Sequence, residues 1–367
     1  MSNIALIGFG EVGKSFIKLL QIKKDLLPKN TKLKYVIKRD GGIYNKDGLD
    51  IDEIIKYTSS NNKIQNHPLW SDISFKDILK NKDVDILIEL TSTNIINGEP
   101  GYTHIKGALE NKINVVTGNK GPILLYYNEL KNLALKNNVE LKIGCTTGGA
   151  LPSINVGTKD VLGAQVTEII GVLNGTTNFI LEEMLKNKVE YKDALKKAQD
   201  LNIAEKDPSL DVLGIDTGIK MAILSKVIWD VDFEFDKLDI KGITDVKLND
   251  LLLDNFSGKK TKLIGRAFYL NGNFEFEVKP ISIDKYHPLY FVDGKNKGVH
   301  YKTDILGDIT VTGGASIDKI YRSAFYASGI KKLILPENLT FIGYKAFIYS
   351  SIESIVIPSS VTTWEDY

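Results

Sequence analysis

The feature that most restricts this chain lies in its first twenty residues. A short apolar run, Asn3-Ile4-Ala5-Leu6-Ile7, is followed at once by Gly8-Phe9-Gly10-Glu11-Val12-Gly13, and residues 14–20 then have helical patterning. A GxGxxG placed between a strand and a helix predicts a dinucleotide-binding unit. Gly8 permits the tight turn, Gly10 lets a pyrophosphate approach the backbone, and Gly13 lets helix and strand pack closely. The phosphates then sit on unpaired N–H groups at the helix N-terminus. A second strand over 33–37 ends in Lys38-Arg39-Asp40. An acid at that place suits a ribose hydroxyl and a base suits a 2′-phosphate, so Arg39 and Lys38 lean towards NADP while Asp40 keeps NAD open.

Further apolar runs at 84–90, 113–117 and 139–143 alternate with helical periodicity at 103–110 and 124–136. Strands alternating with helices over about 145 residues predict a doubly wound α/β domain. Its ligand edge lies at the strand C-termini, which places Thr91, Ser92 and Asn119-Lys120 there. With 43% hydrophobic residues the chain has enough apolar surface to fold, which excludes intrinsic disorder. Its 47 basic and 46 acidic residues leave a net charge of +1, so neither nucleic acid nor a membrane surface is an expected partner. Arg39, Arg266 and Arg322 are the only arginines. Cys145 is the single cysteine, which excludes an intrachain disulfide and a cysteine-based zinc site. No transmembrane run or signal peptide is read, so a cytoplasmic protein is expected. His67, His104, His287 and His300 show no metal-ligand spacing and are expected at the surface or in loops, with His104 a packing residue on its helix.

The middle of the chain carries the chemistry. A glycine-rich junction, residues 144–152, precedes a helix from Ser153, and a strand over 168–173 leads into Asn174-Gly175-Thr176-Thr177-Asn178, a turn rich in helix-capping side chains. Residues 205–220 hold Glu205, Asp207, Asp211, Asp216 and Lys220. A helix is expected from Val212 to about Trp229, with Asp216 and Lys220 on one face. Such a pair is ordinarily a solvated surface contact. Here Val212, Leu213, Ile215, Ile219, Met221, Ala222, Ile223 and Leu224 surround it, and a helix apolar on nearly all sides is buried. Buried charges are costly unless they serve a cleft or a partner.

These stretches, with Gly98-Glu99-Pro100 and Val116-Thr117-Gly118-Asn119-Lys120-Gly121-Pro122, resemble homoserine dehydrogenase of the compact type without a regulatory domain, over residues 1 to about 315. The resemblance implies reversible NAD(P)-linked reduction of L-aspartate 4-semialdehyde to L-homoserine, on the branch towards threonine, methionine and isoleucine. It implies a homodimer acting on a small amino-acid substrate. It makes Lys220 the proton donor, with Lys120 between nicotinamide and substrate. Glu205 and Asp216 would hold the substrate's ammonium group, and Asp211 would support them. Cofactor contacts would come from Gly8, Phe9, Gly10, Glu11, Val12, Gly13, Arg39, Thr91, Ser92, Lys120, Asn202 and Gly314. A Na+ or K+ ion would rest on backbone carbonyls of Thr147, Gly149 and Leu151. Many members carry a glutamate where Gly144 stands, which weakens that site. Asn202 replaces a glycine common before the Glu205 motif, and asparagine is the non-glycine residue best suited to a left-handed turn.

The tail departs from that pattern. Two strands over 262–270 and 274–283 are expected around an Asn271-Gly272-Asn273 turn, then strands at 298–303 and 309–312, and the family match stops near Ser316. Beyond it Ala324-Phe325 recurs as Ala346-Phe347, Ile330 as Ile352, Leu333 as Ile355 and Pro336 as Pro358, each offset by 22. This period resembles leucine-rich repeats of bacterial surface proteins, with fewer than two full repeats expected. The tail reads as a fusion, a recombined frame or a splice, and replacing the family's terminal helix is expected to expose apolar surface on the nucleotide domain.

The expected architecture is α/β. A Rossmann-like dinucleotide-binding domain spans 1–145, an α+β substrate-binding and dimerisation domain 146–316, and a leucine-rich-repeat-like tail 317–367. Two other readings stand beside the dehydrogenase. One is an inactive dehydrogenase-like interaction protein whose tail binds a partner, and the other is an enzyme for a different amino-acid aldehyde.

Overall fold

The computed structural model describes residues 2–60, 62–313, 319–320, 324, 332–335 and 339–365. The N-terminal sheet has seven strands: β1 (Ser2–Ile7), β2 (Thr31–Lys38), β3 (Gly41–Tyr44), β4 (Trp70–Ser71), β5 (Ile86–Glu89), β6 (Asn114–Thr117) and β7 (Leu141–Lys142). Helices α1 (Glu11–Ile22), α2 (Ile51–Ser59), α3 (Phe75–Asn81), α4 (Gly101–Glu110) and α5 (Lys120–Asn137) connect them. The spatial order is β4-β3-β2-β1-β5-β6-β7. β1 pairs in parallel with β2 on one side and β5 on the other, which makes the switch point of the sheet. Along β1, Ala5 and Ile7 enter one core cluster and Ile4 and Leu6 another. Both faces are therefore covered, which is why the strand reads as a continuous apolar run. The antiparallel edge of β3 and β4 was not expected. Its strands are four and two residues long, too short for a periodic pattern to register.

The second sheet contains β8 (Val166–Val172), β9 (Asp239–Ile240), β10 (Lys260–Leu270), β11 (Asn273–Ile283), β12 (Lys297–Thr303) and β13 (Asp308–Gly313), ordered β13-β12-β8-β10-β11-β9. Its helical segments are α6 (Cys145–Gly148), α7 (Ser153–Asn155), α8 (Gly175–Asn187), α9 (Tyr191–Asp200), α10 (Ser209–Val212), α11 (Ile215–Trp229) and α12 (Leu248–Phe256). The apolar α11 packs against α5, α6, β8 and β10. One core cluster accordingly runs from Ala5 and Ile7 through Ile219 and Leu224 to Tyr301.

Local differences from expectation have local causes. The helix from Val212 is interrupted: Gly214 takes φ +81° and α11 starts at Ile215. The carbonyl of Val212 instead accepts the Ile243 N–H at 2.8 Å, and a Cβ on Gly242 would lie 2.0 Å from that oxygen. The glycine-rich junction holds a helical turn, α6, with Thr146 and Thr147 buried. In the β10–β11 hairpin Asn271 and Gly272 take φ +52° and +83°, and Asn273 pairs with Leu270 instead of turning. His67 and His300 are buried, not superficial; His300 sits on β12 with its Nδ1 2.8 Å from Thr310 Oγ1.

The tail carries β14 (Lys319–Ile320), β15 (Lys332–Ile334), β16 (Phe341–Ile342), β17 (Ser354–Val356) and β18 (Thr363–Trp364). β14, β16 and β18 form one parallel sheet, with Lys319 paired to Phe341 and Phe341 to Thr363. β15 pairs with β17 at the same offset of 22. Three rungs are thus present on one side, more than the sequence pattern suggested. Ile320, Leu335, Leu339, Ile342 and Ala346 are buried between them, which is how a solenoid makes a core from units that have none alone. Phe325, Ile330 and Pro336 of the repeat pattern, and the cofactor candidate Gly314, lie outside the described residues.

Candidate active site

The carboxylate of Asp216 joins two lysines that come from different helices, α5 of the first layer and α11 of the second. Lys120 opens α5 at the C-terminal edge of the parallel sheet. Asn119 caps that helix, its Oδ1 accepting the Gly121 N–H at 3.1 Å while its Nδ2 donates to Thr91 Oγ1 at 3.2 Å. Lys120 Nζ lies 2.9 Å from Asp216 Oδ1. Lys220, one turn along α11 from Asp216, lies 2.5 Å from Oδ2 and also donates to the Leu173 carbonyl at 2.8 Å. Asp216 is 7% exposed and Lys220 9%, which overturns the solvated-pair reading. Burial alone would raise the Asp216 carboxyl, but Lys220 and then Lys120 reverse that and hold it well below the usual carboxylate range.

Asn174 organises the acidic side. It caps α8, its Oδ1 accepting the Thr177 N–H at 2.9 Å. Its Nδ2 donates to Asp211 Oδ1 at 2.6 Å and to Asp216 Oδ2 at 2.9 Å. The sequence marks Asn174 as a capping residue; its second duty depends on α10 and α11, which start at Ser209 and Ile215. Glu205 is not brought into the cluster. It is exposed, beside a groove of about 670 Å³ formed by residues between Gln199 and Lys206, and its carboxylate makes no hydrogen bond or ion pair with Lys120, Lys220 or Asp216. The loop that carries it is tethered nearby by Thr176 Oγ1, which donates to the Ile203 carbonyl at 3.1 Å. Asn202 takes φ +53°, the left-handed conformation its residue type suits.

The residues at the glycine turn fit a dinucleotide. Gly8 takes φ +99°, and a Cβ there would lie 2.3 Å from the Leu90 carbonyl. A Cβ on Gly13 would lie 2.2 Å from the Gly8 carbonyl oxygen, so helix and strand touch through backbone. Gly10 faces open space, and no side chain caps α1. The open cradle and uncapped amides suit a phosphate. Phe9 is buried, whereas Glu11, Val12, Arg39 and Ser92 are exposed and Thr91 is half-buried. Behind Thr91 the sequence reading missed Glu89. This fully buried carboxylate accepts the Thr91 N–H at 3.0 Å and the Thr117 hydroxyl at 3.1 Å, with His104 Nδ1 3.7 Å away. Burial opposes its charge, yet His104 and Thr91 keep it below the usual carboxylate range. An acid in an otherwise apolar strand was the visible clue.

The candidate monovalent-cation residues fit less well. Thr147, Gly149 and Leu151 offer only neutral carbonyls, and that of Leu151 already accepts the Ser153 N–H at 2.8 Å. A Cβ at Gly144 would meet nothing, so no side chain fills the place of the family's glutamate.

A parallel sheet with a phosphate cradle, joined to a second layer by a Lys-Asp-Lys bridge, defines a nicotinamide-dependent dehydrogenase. The family model for the homoserine dehydrogenase NAD-binding domain matches residues 8–143, and the homoserine dehydrogenase model matches 152–319. The chain belongs to the homoserine dehydrogenase family, NAD(P)-dependent oxidoreductases that interconvert aspartate 4-semialdehyde and homoserine. It is 36% identical over 315 residues to homoserine dehydrogenase of Methanocaldococcus jannaschii, covering 85% of this chain and 92% of that protein. It is 32% identical over 321 residues to the NAD(+)-dependent homoserine dehydrogenase of Pseudomonas canavaninivorans, covering 85% and 90%. A hyperthermophilic archaeal homoserine dehydrogenase mutant solved in complex with NADPH aligns with a TM-score of 0.73 at 28% identity, covering 86% of this chain and 92% of that one. The alternative of an inactive interaction protein has no support among these matches. A model described as a BspA type leucine rich repeat region (6 copies) matches 297–367. The two models overlap at 297–319, and the strand pairing divides them: β12 and β13 belong to the dehydrogenase sheet, and the repeat rungs start at Lys319. No helix among the described residues is long and apolar enough to cross a membrane.

Proposed function

We propose that the Lys120–Asp216–Lys220 cluster is where this chain reduces L-aspartate 4-semialdehyde. The observation that carries this is a single carboxylate held by ammonium groups from two helices, α5 beside the parallel sheet and α11 of the second layer, at 2.9 and 2.5 Å. When bound, a reduced nicotinamide supplies the hydride. As the aldehyde oxygen gains negative charge, the Lys220 ammonium stabilises it and delivers the proton. Lys120 reaches the same carboxylate from the nucleotide-binding layer and would steady the substrate from that side. Asp216 aims both ammonium groups and receives the substrate's own ammonium; Asp211 supports Asp216 through Asn174. Lys220→Ala should lower kcat by about 100-fold or more while the KM for nucleotide stays near wild type, in line with the loss of a general acid. Near wild-type turnover would remove Lys220 from the reaction.

The reading extends to domains at 1–145, 146–316 and 317–367, and to a cytoplasmic homodimer. It takes NADP as cofactor in preference to NAD. Arg39, exposed in the turn after β2 beside Lys38, supports that preference. Arg39→Ala should weaken kcat/KM for NADPH more than for NADH; an equal loss for both would oppose it.

A further inference from the structure

A third lysine belongs to the charge cluster. Lys297 opens β12, and the Gly298–Val172 pair leaves it level with Leu173, whose carbonyl accepts Lys220 Nζ. The residues just before it press on the start of α8, since a Cβ on Gly175 would lie 2.8 Å from the Lys295 carbonyl oxygen. Lys297 is half-buried, and its ammonium makes no hydrogen bond or ion pair among the described residues. The nearby carboxylates are already engaged, Asp216 by Lys120, Lys220 and Asn174, and Asp211 by Asn174. Three ammonium groups against two carboxylates leave one positive charge without an internal partner. A half-buried cation of that kind is an anion site.

We propose that Lys297 binds the carboxylate of the amino-acid substrate. The inference rests on the reading that the Asp216 cluster is the substrate site. Aspartate semialdehyde has its aldehyde and its carboxylate at opposite ends of a four-carbon chain, so one cation cannot serve both. Lys220 meets the aldehyde end, and Lys297 meets the carboxylate. Burial first, and then the neighbouring Lys220, hold the Lys297 ammonium below its ordinary range, so an incoming carboxylate relieves an unfavourable state.

The test compares Lys297→Met and Lys297→Arg with wild type on two aldehydes, L-aspartate 4-semialdehyde and 3-aminopropanal, which lacks the carboxylate. Lys297→Met should raise KM for aspartate semialdehyde about 10- to 100-fold, the loss of one charge-assisted hydrogen bond, with kcat within about 2-fold. Lys297→Arg should recover most of that. On 3-aminopropanal, wild type and Lys297→Met should have the same kcat/KM, and the KM for NADPH should not move. An unchanged KM for aspartate semialdehyde, an equal loss on both aldehydes, or a loss expressed only in the KM for NADPH would overturn the proposal. Wild type failing to turn over aspartate semialdehyde would instead sink the underlying site reading, and the proposal with it. Unchanged far-ultraviolet circular dichroism of both variants excludes unfolding as the cause.

Discussion

The dehydrogenase body and the repeat tail hold their structure by opposite means. In the body, the decisive partners are remote in sequence: Lys120 and Asp216 are 96 residues apart, and Asn174 and Asp211 are 37 apart. In the tail, each strand pair among the described residues joins counterparts 22 residues apart. The body closes long loops and draws many contacts from each closure, so an error in one layer reaches the site in another. A rung of the tail depends only on its neighbours, so an error there stays where it is made.

The contrast can be broken most forcefully at Asp216. Asp216→Ala leaves two ammonium groups without their shared counterion and should destabilise the body by about 3–5 kcal/mol, with turnover lost; chemical denaturation beside an activity assay would read both. The sign of its pH dependence follows from the depressed carboxyl. As pH falls, the unfolded chain takes up this proton first, so the contribution of Asp216 is present above its ordinary value of 3.8 and is lost on further acidification. Asp216→Asn should therefore show a flatter acid limb than wild type, and parallel acid limbs would contradict the charge bridge. In the tail, Ile342→Ala empties a buried position and should cost about 2–4 kcal/mol, seen as faster amide exchange over 339–365 with kcat within about 2-fold. Lost turnover in that variant would join the two regions and end the contrast. Gly13→Ala forces α1 away from the Gly8 carbonyl and should cost about 1–3 kcal/mol, with a raised KM for nucleotide. The smallest effect belongs to Lys14→Ala, which removes an exposed pair with Glu11 and should change stability by less than about 0.5 kcal/mol in thermal unfolding.

The same contrast explains what could be read in advance. The glycine turn and the apolar strands around it act within a few residues, so their pattern shows in any single stretch. The tail's period was legible for a related reason, although only two copies of the pattern stood out against three paired rungs, because strands of two residues carry little apolar signature. The burial of Asp216 and Lys220 followed from the apolar helix around them. What stayed hidden was pairing across space. Asn174 looked like a cap, Glu89 was passed over inside an apolar run, and Lys297 was one more lysine in a chain whose basic residues are almost all lysine. Glu205 marks the opposite failure, since a family role did not tell where an exposed loop would hold its side chain.

Asn174 carries one further consequence. As a helix cap, aspartate is its equal, and a cap-based substitution table would exchange the two freely. Here the amide nitrogen stands between two carboxylates while the amide oxygen starts the helix. Asn174→Asp would keep the cap and set three negative charges side by side. Only a side chain that donates at one tip and accepts at the other satisfies both neighbours, so the identity of this residue is dictated by geometry at two scales at once, the peptide turn and the acid pair.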